Sequence, residues 1–190
     1  MKTLGEIYQI VEESGHETAF NKGEVEGLLK TLFSIDKPKI LVEIGVEFGR
    51  STSVFAEFQK GSAIKTSFFA VDNFSYPNLG ADRFHVKAQM EKHNWKYVLI
   101  ERDSQEYAEI FDLPIDLIHI DGDHSYEGVK KDCQSWLPKV RPGGYACFDD
   151  YGHPGLDGVK QAVDEYVGKT GEWDFIKLWG NKLAVFRKHE

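Results

Sequence analysis

Apolar positions along this chain follow two rhythms. Short runs rich in β-branched and aromatic residues fall at 40–44, 67–72, 96–101, 116–121 and 144–149, and each reads as a strand. Between them lie stretches with helical spacing, at about 50–60, 82–93, 104–111 and 125–137. This βαβα alternation predicts a parallel sheet with helices on both faces. Residues 1–36 read as a helical lead-in. Leu4, Ile7 and Val11 share one face, and Leu28, Leu29, Leu32 and Phe33 another, with Pro38 separating them from the first strand.

The end of the chain breaks this rhythm. Runs at 174–179 and 182–188 are joined by Gly180-Asn181, a two-residue loop that suits a tight hairpin. The two strands are therefore expected to be antiparallel, since a parallel pair needs a crossover of about a dozen residues. The expected architecture is one α/β domain over residues 1–190, with the lead-in at 1–36 and a core at 39–190. That core is doubly wound, with a mostly parallel seven-stranded sheet closed by a C-terminal antiparallel hairpin.

Composition narrows the function. The 190 residues fit a single domain able to bury a substantial core, and 41% hydrophobic with 28% charged residues is ordinary for a globular chain. A net charge of −8, with no basic run, argues against nucleic acid as a partner. Cys133 and Cys147 have neither metal nor redox spacing and read as two reduced, apolar thiols. The first residues lack a secretory apolar core and no run is long enough for a bilayer, so a cytoplasmic protein without membrane contact is expected.

The chemistry concentrates where strands end. Ile115-Asp116-Leu117-Ile118-His119-Ile120 runs into Asp121-Gly122-Asp123-His124, and Gly143-Gly144-Tyr145-Ala146-Cys147-Phe148 runs into Asp149-Asp150-Tyr151. Ligands of open α/β sheets sit outside the carboxyl ends of the strands. Two neighbouring strands ending in aspartates therefore point to a divalent-metal site, although aspartates also cap helices and turns. Asp149 and Asp150 are adjacent, so both reach one ion only if the strand has already ended there. Within the fourth strand, His119 reads as a satisfied core histidine. His124 and His153 flank the acids as bases or turn residues, and Tyr126 and Tyr151 are candidates for lining a substrate pocket. The aromatics of 73–95 (Phe74, Tyr76, Phe84, Trp95) suit either a lid or plain packing.

After the first strand, Glu43-Ile44-Gly45-Val46-Glu47-Phe48-Gly49-Arg50-Ser51-Thr52 reads as strand, glycine turn and helix, with Ser51 or Thr52 as a helix cap. A dinucleotide fingerprint would need glycine at 47 and 50, where Glu47 and Arg50 stand. Glu47 places a carboxylate where a pyrophosphate would pass, so a ligand without phosphates fits better and nicotinamide chemistry is disfavoured. Asp72, ending the second strand, can accept from a ribose diol. Asp103 and Ser104, after the third, are placed to meet an adenine edge or to cap the next helix.

These pieces in this order resemble the class I S-adenosylmethionine-dependent methyltransferases, over about Leu41 to Lys188. Glu43, Gly45 and Gly49 are similar to the family's first motif, Asp72 to its ribose acid, and the hairpin to its antiparallel strand. The resemblance implies a Rossmann-like fold and a cofactor site of Glu43, Gly45, Gly49, Ser51, Asp72, Asp103, Ser104 and Asp121. Asp121-Gly122-Asp123 with Asp149-Asp150-Tyr151 is further similar to metal-dependent O-methyltransferases of the macrocin and sugar type. That implies Mg2+ held by Asp121, Asp149 and Asp150, with Asp123 as a base; His124 departs from the family's pattern and joins the catalytic candidates by its place beside the acids.

The function expected is Mg2+-dependent O-methylation of a small hydroxylated acceptor, of sugar or polyketide type. A homo-oligomer is compatible with it. Two alternatives stay open: a metal-free O- or N-methyltransferase using a carboxylate or histidine base, and a non-catalytic cofactor-binding module.

Overall fold

A computed structural model describes residues 2–14, 20–75 and 83–190. In chain order the elements are α1 (Leu4–Ser14), α2 (Lys22–Ser34), β1 (Ile40–Ile44), α3 (Arg50–Gly61), β2 (Ser67–Asp72), α4 (Arg83–His93), β3 (Val98–Glu101), α5 (Ser104–Ile110), β4 (Ile115–Ile120), α6 (Tyr126–Trp136), β5 (Val140–Phe148), α7 (Asp157–Val163), β6 (Trp173–Trp179) and β7 (Leu183–Lys188). They form one seven-stranded sheet in the order β3-β2-β1-β4-β5-β7-β6. Strands β1 to β5 run parallel, and β7 inserts antiparallel between β5 and β6.

The chain winds outward from β1 to β3, then returns past β1 to lay down β4. Its direction of travel therefore reverses between β1 and β4, and a crevice opens beyond their carboxyl ends. Strand β4 sits at the centre, buried at every position, which is why IDLIHI carries almost no polar alternation. One core face packs Leu28 and Leu32 of α2 and Phe55 and Phe58 of α3 on Phe68, Leu117 and Val185. The other packs Val129 and Trp136 of α6 and Val159 and Val163 of α7 on Ile118, Ala146 and Phe186. Among the described residues no helix is long and apolar enough to cross a membrane.

At the hairpin, Gly180 and Asn181 both take left-handed φ, +56° and +64°, and Lys182 N–H donates to Trp179 O at 3.0 Å. Positive φ at both central residues matches the right-handed twist of the flanking strands. Helix α2 docks on this turn. A Cβ on Gly23 would lie 2.7 Å from Gly180 Cα, and one on Gly27 2.5 Å from Trp179 Cγ, so only glycine allows the approach.

Three details differ from the sequence reading. Phe33 is 53% exposed at the outer edge of α2, where its ring meets Phe58 edge to face, so it is not part of the inward face. Helix α7, absent from that reading, fills the connection between β5 and β6 and runs on into a wider turn at Asp164–Gly168. Strand β3 starts at Val98, not 96, because Trp95 and Tyr97 are drawn into the core as the chain enters the sheet.

Candidate active site

The glycine turn is built against the end of β4. Gly45 has φ +86°, and a Cβ there would stand 1.9 Å from the carbonyl oxygen of Asp121. Asp72, at the end of β2, ties the turn down: its Oδ2 accepts from Val46 N–H (2.7 Å) and Glu47 N–H (3.0 Å), and its Oδ1 from Phe74 N–H (2.6 Å). A carboxylate has about four lone-pair positions, so one remains for a ligand hydroxyl. Glu47 lies half-buried in the same crevice. Burial raises its pKa, with the Asp72 charge adding to the effect and His124 opposing it.

Ser51 and Thr52 do not cap α3. Gly49 occupies the cap position in a left-handed conformation (φ +82°), and both hydroxyls turn inward to the buried Glu43 instead. Ser51 Oγ donates to Oε1 (2.5 Å) and Thr52 Oγ1 to Oε2 (2.6 Å). Glu43 thereby links the β1 strand to the first turn of α3 from beneath the glycines. Across the crevice, Asp103 caps α5 by accepting from Gln105 and Glu106 N–H. Ser104 Oγ and Gln105 Nε2 both donate to the buried Asp132 of α6. Burial pushes Asp132 up to about 6, against the lowering effect of those two donors.

Beside this crevice β4 and β5 end together. Asp121 N–H donates to Ile44 O (2.8 Å) and Asp149 N–H to Ile120 O (3.1 Å), so the sheet ladder persists up to the acids. It stops at Asp150, whose φ of +54° turns the chain. Although the strand has ended there, the two adjacent aspartates part company. Asp150 joins Asp121 and His124 in a group whose donor atoms all lie within 4.8 Å of one another. Asp149 faces the buried Glu24 of α2.

The charges in this corner are tightly coupled. His124 Nε2 lies 3.1 Å from Asp121 Oδ1, and its Nδ1 lies 3.4 Å from Asp150 Oδ2. Lys182, just past the hairpin turn, places Nζ 3.2 Å from Asp150 Oδ1. The Asp121 interaction, outweighing burial, raises His124 to about 9. Burial and the neighbouring Asp149 charge push Asp121 up to about 7. Burial, then Asp149, pushes Glu24 up to about 10, so at neutral pH it is a carboxylic acid that can donate to Asp149.

Comparison with known proteins gives this arrangement its context. A methyltransferase-domain family matches residues 42–151, from the first strand to the second acidic strand end, more than half of the chain. The chain belongs to this methyltransferase family. It is 27% identical over 188 residues to 8-demethyl-8-(2,3-dimethoxy-alpha-L-rhamnosyl)-tetracenomycin-C 4'-O-methyltransferase of Streptomyces olivaceus, covering 85% of this chain and 70% of that protein. It is 30% identical over 123 residues to the uncharacterized protein y4gI of Sinorhizobium fredii, a match spanning 60% of this chain and only 13% of that much longer one. In fold it is similar to the O-methyltransferase NovP, with a TM-score of 0.72 at 18% identity, covering 93% of this chain and 84% of NovP. An O-methyltransferase from Bacillus cereus in complex with SAH, the demethylated cofactor, gives a TM-score of 0.68 at 18% identity, covering 100% of this chain and 92% of that one. The doubly wound, Rossmann-like expectation and the S-adenosylmethionine-dependent methyltransferase assignment both stand.

The remaining residues of the methyltransferase singled out from sequence fall into place around this corner. Asp123 accepts from Ser125 N–H (2.9 Å) and Ser125 Oγ (3.0 Å) at the entry to α6, with its carboxylate exposed. His119 is a core residue, but not a satisfied one. Neither ring nitrogen has a hydrogen bond among the described residues, Glu43 Oε1 stands 3.7 Å away, and the rings of Phe20 and Phe55 flank it. Burial alone would lower its pKa, yet the surrounding Glu43, Asp121 and Asp149 raise it. Tyr126 and Tyr151 send their hydroxyls to Glu165 (2.9 Å) and Asp164 (2.6 Å), at the far end of α7. Trp95 donates to the buried Glu57 (2.8 Å) and is packing, as is Phe74, while Phe84 is 66% exposed. Tyr76 and the rest of the 76–82 segment lie outside the described residues.

Two members of the charged group escaped the sequence reading, Glu24 and Lys182. Asn21-x-x-Glu24 is a legible capping box, and both of its bonds form: the Asn21 side chain accepts from Glu24 N–H, and Glu24 Oε2 accepts from Asn21 N–H (2.6 Å). Nothing local marks the second role of that carboxyl, or the direction of Lys182.

Proposed function

We propose that this methyltransferase catalyses divalent-cation-dependent O-methylation of a hydroxyl on a small molecule of sugar or polyketide type. One observation carries the reading: Asp121, His124 and Asp150 converge beside the glycine turn, at the carboxyl ends of β1, β4 and β5. The printed activity of the Streptomyces olivaceus relative, a 4'-O-methyltransferase on a rhamnosyl tetracenomycin, supports the acceptor class. The residues suit a divalent ion. Asp149 Oδ1 is a buried oxygen with no hydrogen bond among the described residues, and three acids, Asp121, Asp149 and Asp150, crowd one corner. Two such carboxylates at ~4 Å repel by about 4 kcal/mol at an effective dielectric near 20. The ion first expected from the acids is Mg2+.

In this reading Glu43, Gly45, Gly49, Ser51, Asp72, Asp103, Ser104 and Asp121 form the S-adenosylmethionine site. Gly45 and Gly49 allow close approach of the cofactor, and Asp72 offers its remaining lone pair to the ribose. Asp121 and Asp150, with His124 beside them, would hold the ion. A bound divalent cation stabilises the charge that develops on the acceptor oxygen and fixes its direction. The acceptor oxygen forms its bond to the methyl carbon as the carbon–sulfur bond breaks, sulfur keeping the electron pair. The hydroxyl proton passes to Asp123, whose exposed carboxylate fits a general base. Orientation supplies most of the rate, since the reaction is one direct displacement.

The test is methyl transfer from labelled cofactor to a panel of sugar and polyketide diols, with and without EDTA. Activity abolished by EDTA and restored by a divalent ion is expected, and full activity in EDTA overturns the metal. One observation favours a metal-free second reading: His124 and Lys182 already place two cations on Asp121 and Asp150. In that case Asp150→Asn leaves turnover within about threefold of the parent, where a general base or metal ligand costs about 100-fold or more.

A further inference from the structure

The third member of the converging group is an imidazole, not a third carboxylate. We infer that His124 supplies a nitrogen ligand, so that this site takes a first-row transition ion of the Mn2+ to Ni2+ series in preference to Mg2+. This choice of ion rests on the divalent-cation reading above and names the cofactor within it.

Geometry supports the assignment. Neighbouring ligands of an octahedral ion with bonds of ~2.1 Å stand ~3.0 Å apart. His124 Nε2 and Asp121 Oδ1, at 3.1 Å, already span such an edge. Asp150 completes the group, its Oδ2 lying 3.4 Å from the other ring nitrogen, Nδ1, with the donor atoms of all three residues within 4.8 Å of one another. Asp149, the ligand the sequence reading placed third, is directed at Glu24 and contributes no atom to the close group. His124 sits in the short connection between β4 and α6 with 40% of its side chain exposed, which leaves the ring room to offer one nitrogen inward.

The donor chemistry then decides the ion. Mg2+ is a hard cation that prefers all-oxygen shells and gives up its waters reluctantly. Imidazole adds little for Mg2+ but binds increasingly well from Mn2+ toward Ni2+. Coordination requires a ring nitrogen free of its proton, so metal binding at His124 should weaken as pH falls.

The experiment is calorimetric titration of the full-length, metal-stripped protein with Co2+ and with Mg2+, alongside pulsed EPR of the Mn2+-loaded protein. Expected are tighter binding of Co2+ than Mg2+ and a nitrogen coupling to Mn2+. In His124→Asn, Co2+ affinity should fall about 10–100-fold while Mg2+ affinity stays within about threefold, and the nitrogen coupling should vanish. The EPR measurement on the unsubstituted protein stands even if the variant is impaired. Metal binding without nitrogen coupling, or equal losses for both ions, overturns the assignment of His124 and leaves the divalent-cation reading intact. Absence of any bound ion overturns both.

Discussion

Gly45 and Asp121 are locked back to back: the space for a Cβ on Gly45 is taken by the Asp121 carbonyl oxygen, 1.9 Å from where that atom would sit. The glycine turn after β1 and the acidic end of β4 are thus packed directly against each other. Gly45→Ala combines this clash with a left-handed φ of +86°. It is expected to cost about 4 kcal/mol or more, a size seen only when a backbone position admits no other residue. Thermal or denaturant unfolding measures it. A loss under about 1 kcal/mol would mean the two ends are not in contact.

Glu24 and Asp149 give a sharper test, because chemistry and bulk separate. With Glu24 raised to about 10, glutamine reproduces both its shape and its ability to donate. Glu24→Gln should stay within about 0.5 kcal/mol of the parent in unfolding free energy. Glu24→Ala removes the capping-box partner of Asn21 and the carboxyl that faces Asp149, an expected loss of about 1–3 kcal/mol. Equal losses from both substitutions would show that Glu24 is needed as an anion.

Much of this fold is written locally. The parallel strands and their crossover helices are visible because βαβ units force long apolar runs to alternate with amphipathic ones, and Gly180-Asn181 could only be a tight turn. Helix α7 was legible too: Val159, Ala162, Val163 and Val167 are spaced for one face and all buried, but the run is short and follows a Gly/Pro-rich stretch. The acids at the ends of β4 and β5 stood out because carboxylates there interrupt apolar strands. What stayed hidden is direction. Asp149 faces Glu24 while Asp150 meets His124 and Lys182, and Glu24 and Lys182 arrive from elements far away in sequence. Ser51 and Thr52 resemble caps in any local reading, and only the buried Glu43 beneath them turns both hydroxyls inward.

Asp132 makes acid strength a stability signal. Its carboxyl is raised from 3.8 to about 6, chiefly by burial, so the native state holds the proton to higher pH than the unfolded chain does. Between those two values the folded form binds more protons, and stability therefore falls as pH rises from about 4 to about 6. The full effect is about 3 kcal/mol. Unfolding curves across that window should show this downward slope, and Asp132→Asn should make it shallower, the raised Glu24 and Asp121 carboxyls supplying what remains. An unchanged slope in the variant would assign the effect to another carboxyl.

Lys182 offers a test of where the cation sits. Its side chain is 16% exposed and its ammonium lies 3.2 Å from Asp150 Oδ1, so Lys182→Met leaves a largely buried carboxylate without its lysine partner. Without divalent ions the variant should lose about 3 kcal/mol of stability. The same substitution removes a positive charge from the edge of the proposed ion site, so a divalent cation should bind more tightly than in the parent and restore the melting temperature. Stabilisation by a ligand grows with its concentration over its Kd, about 2.7 kcal/mol at 100 times Kd, which would nearly cancel the loss. A cation that rescues the variant no better than it stabilises the parent would place the ion away from Asp150.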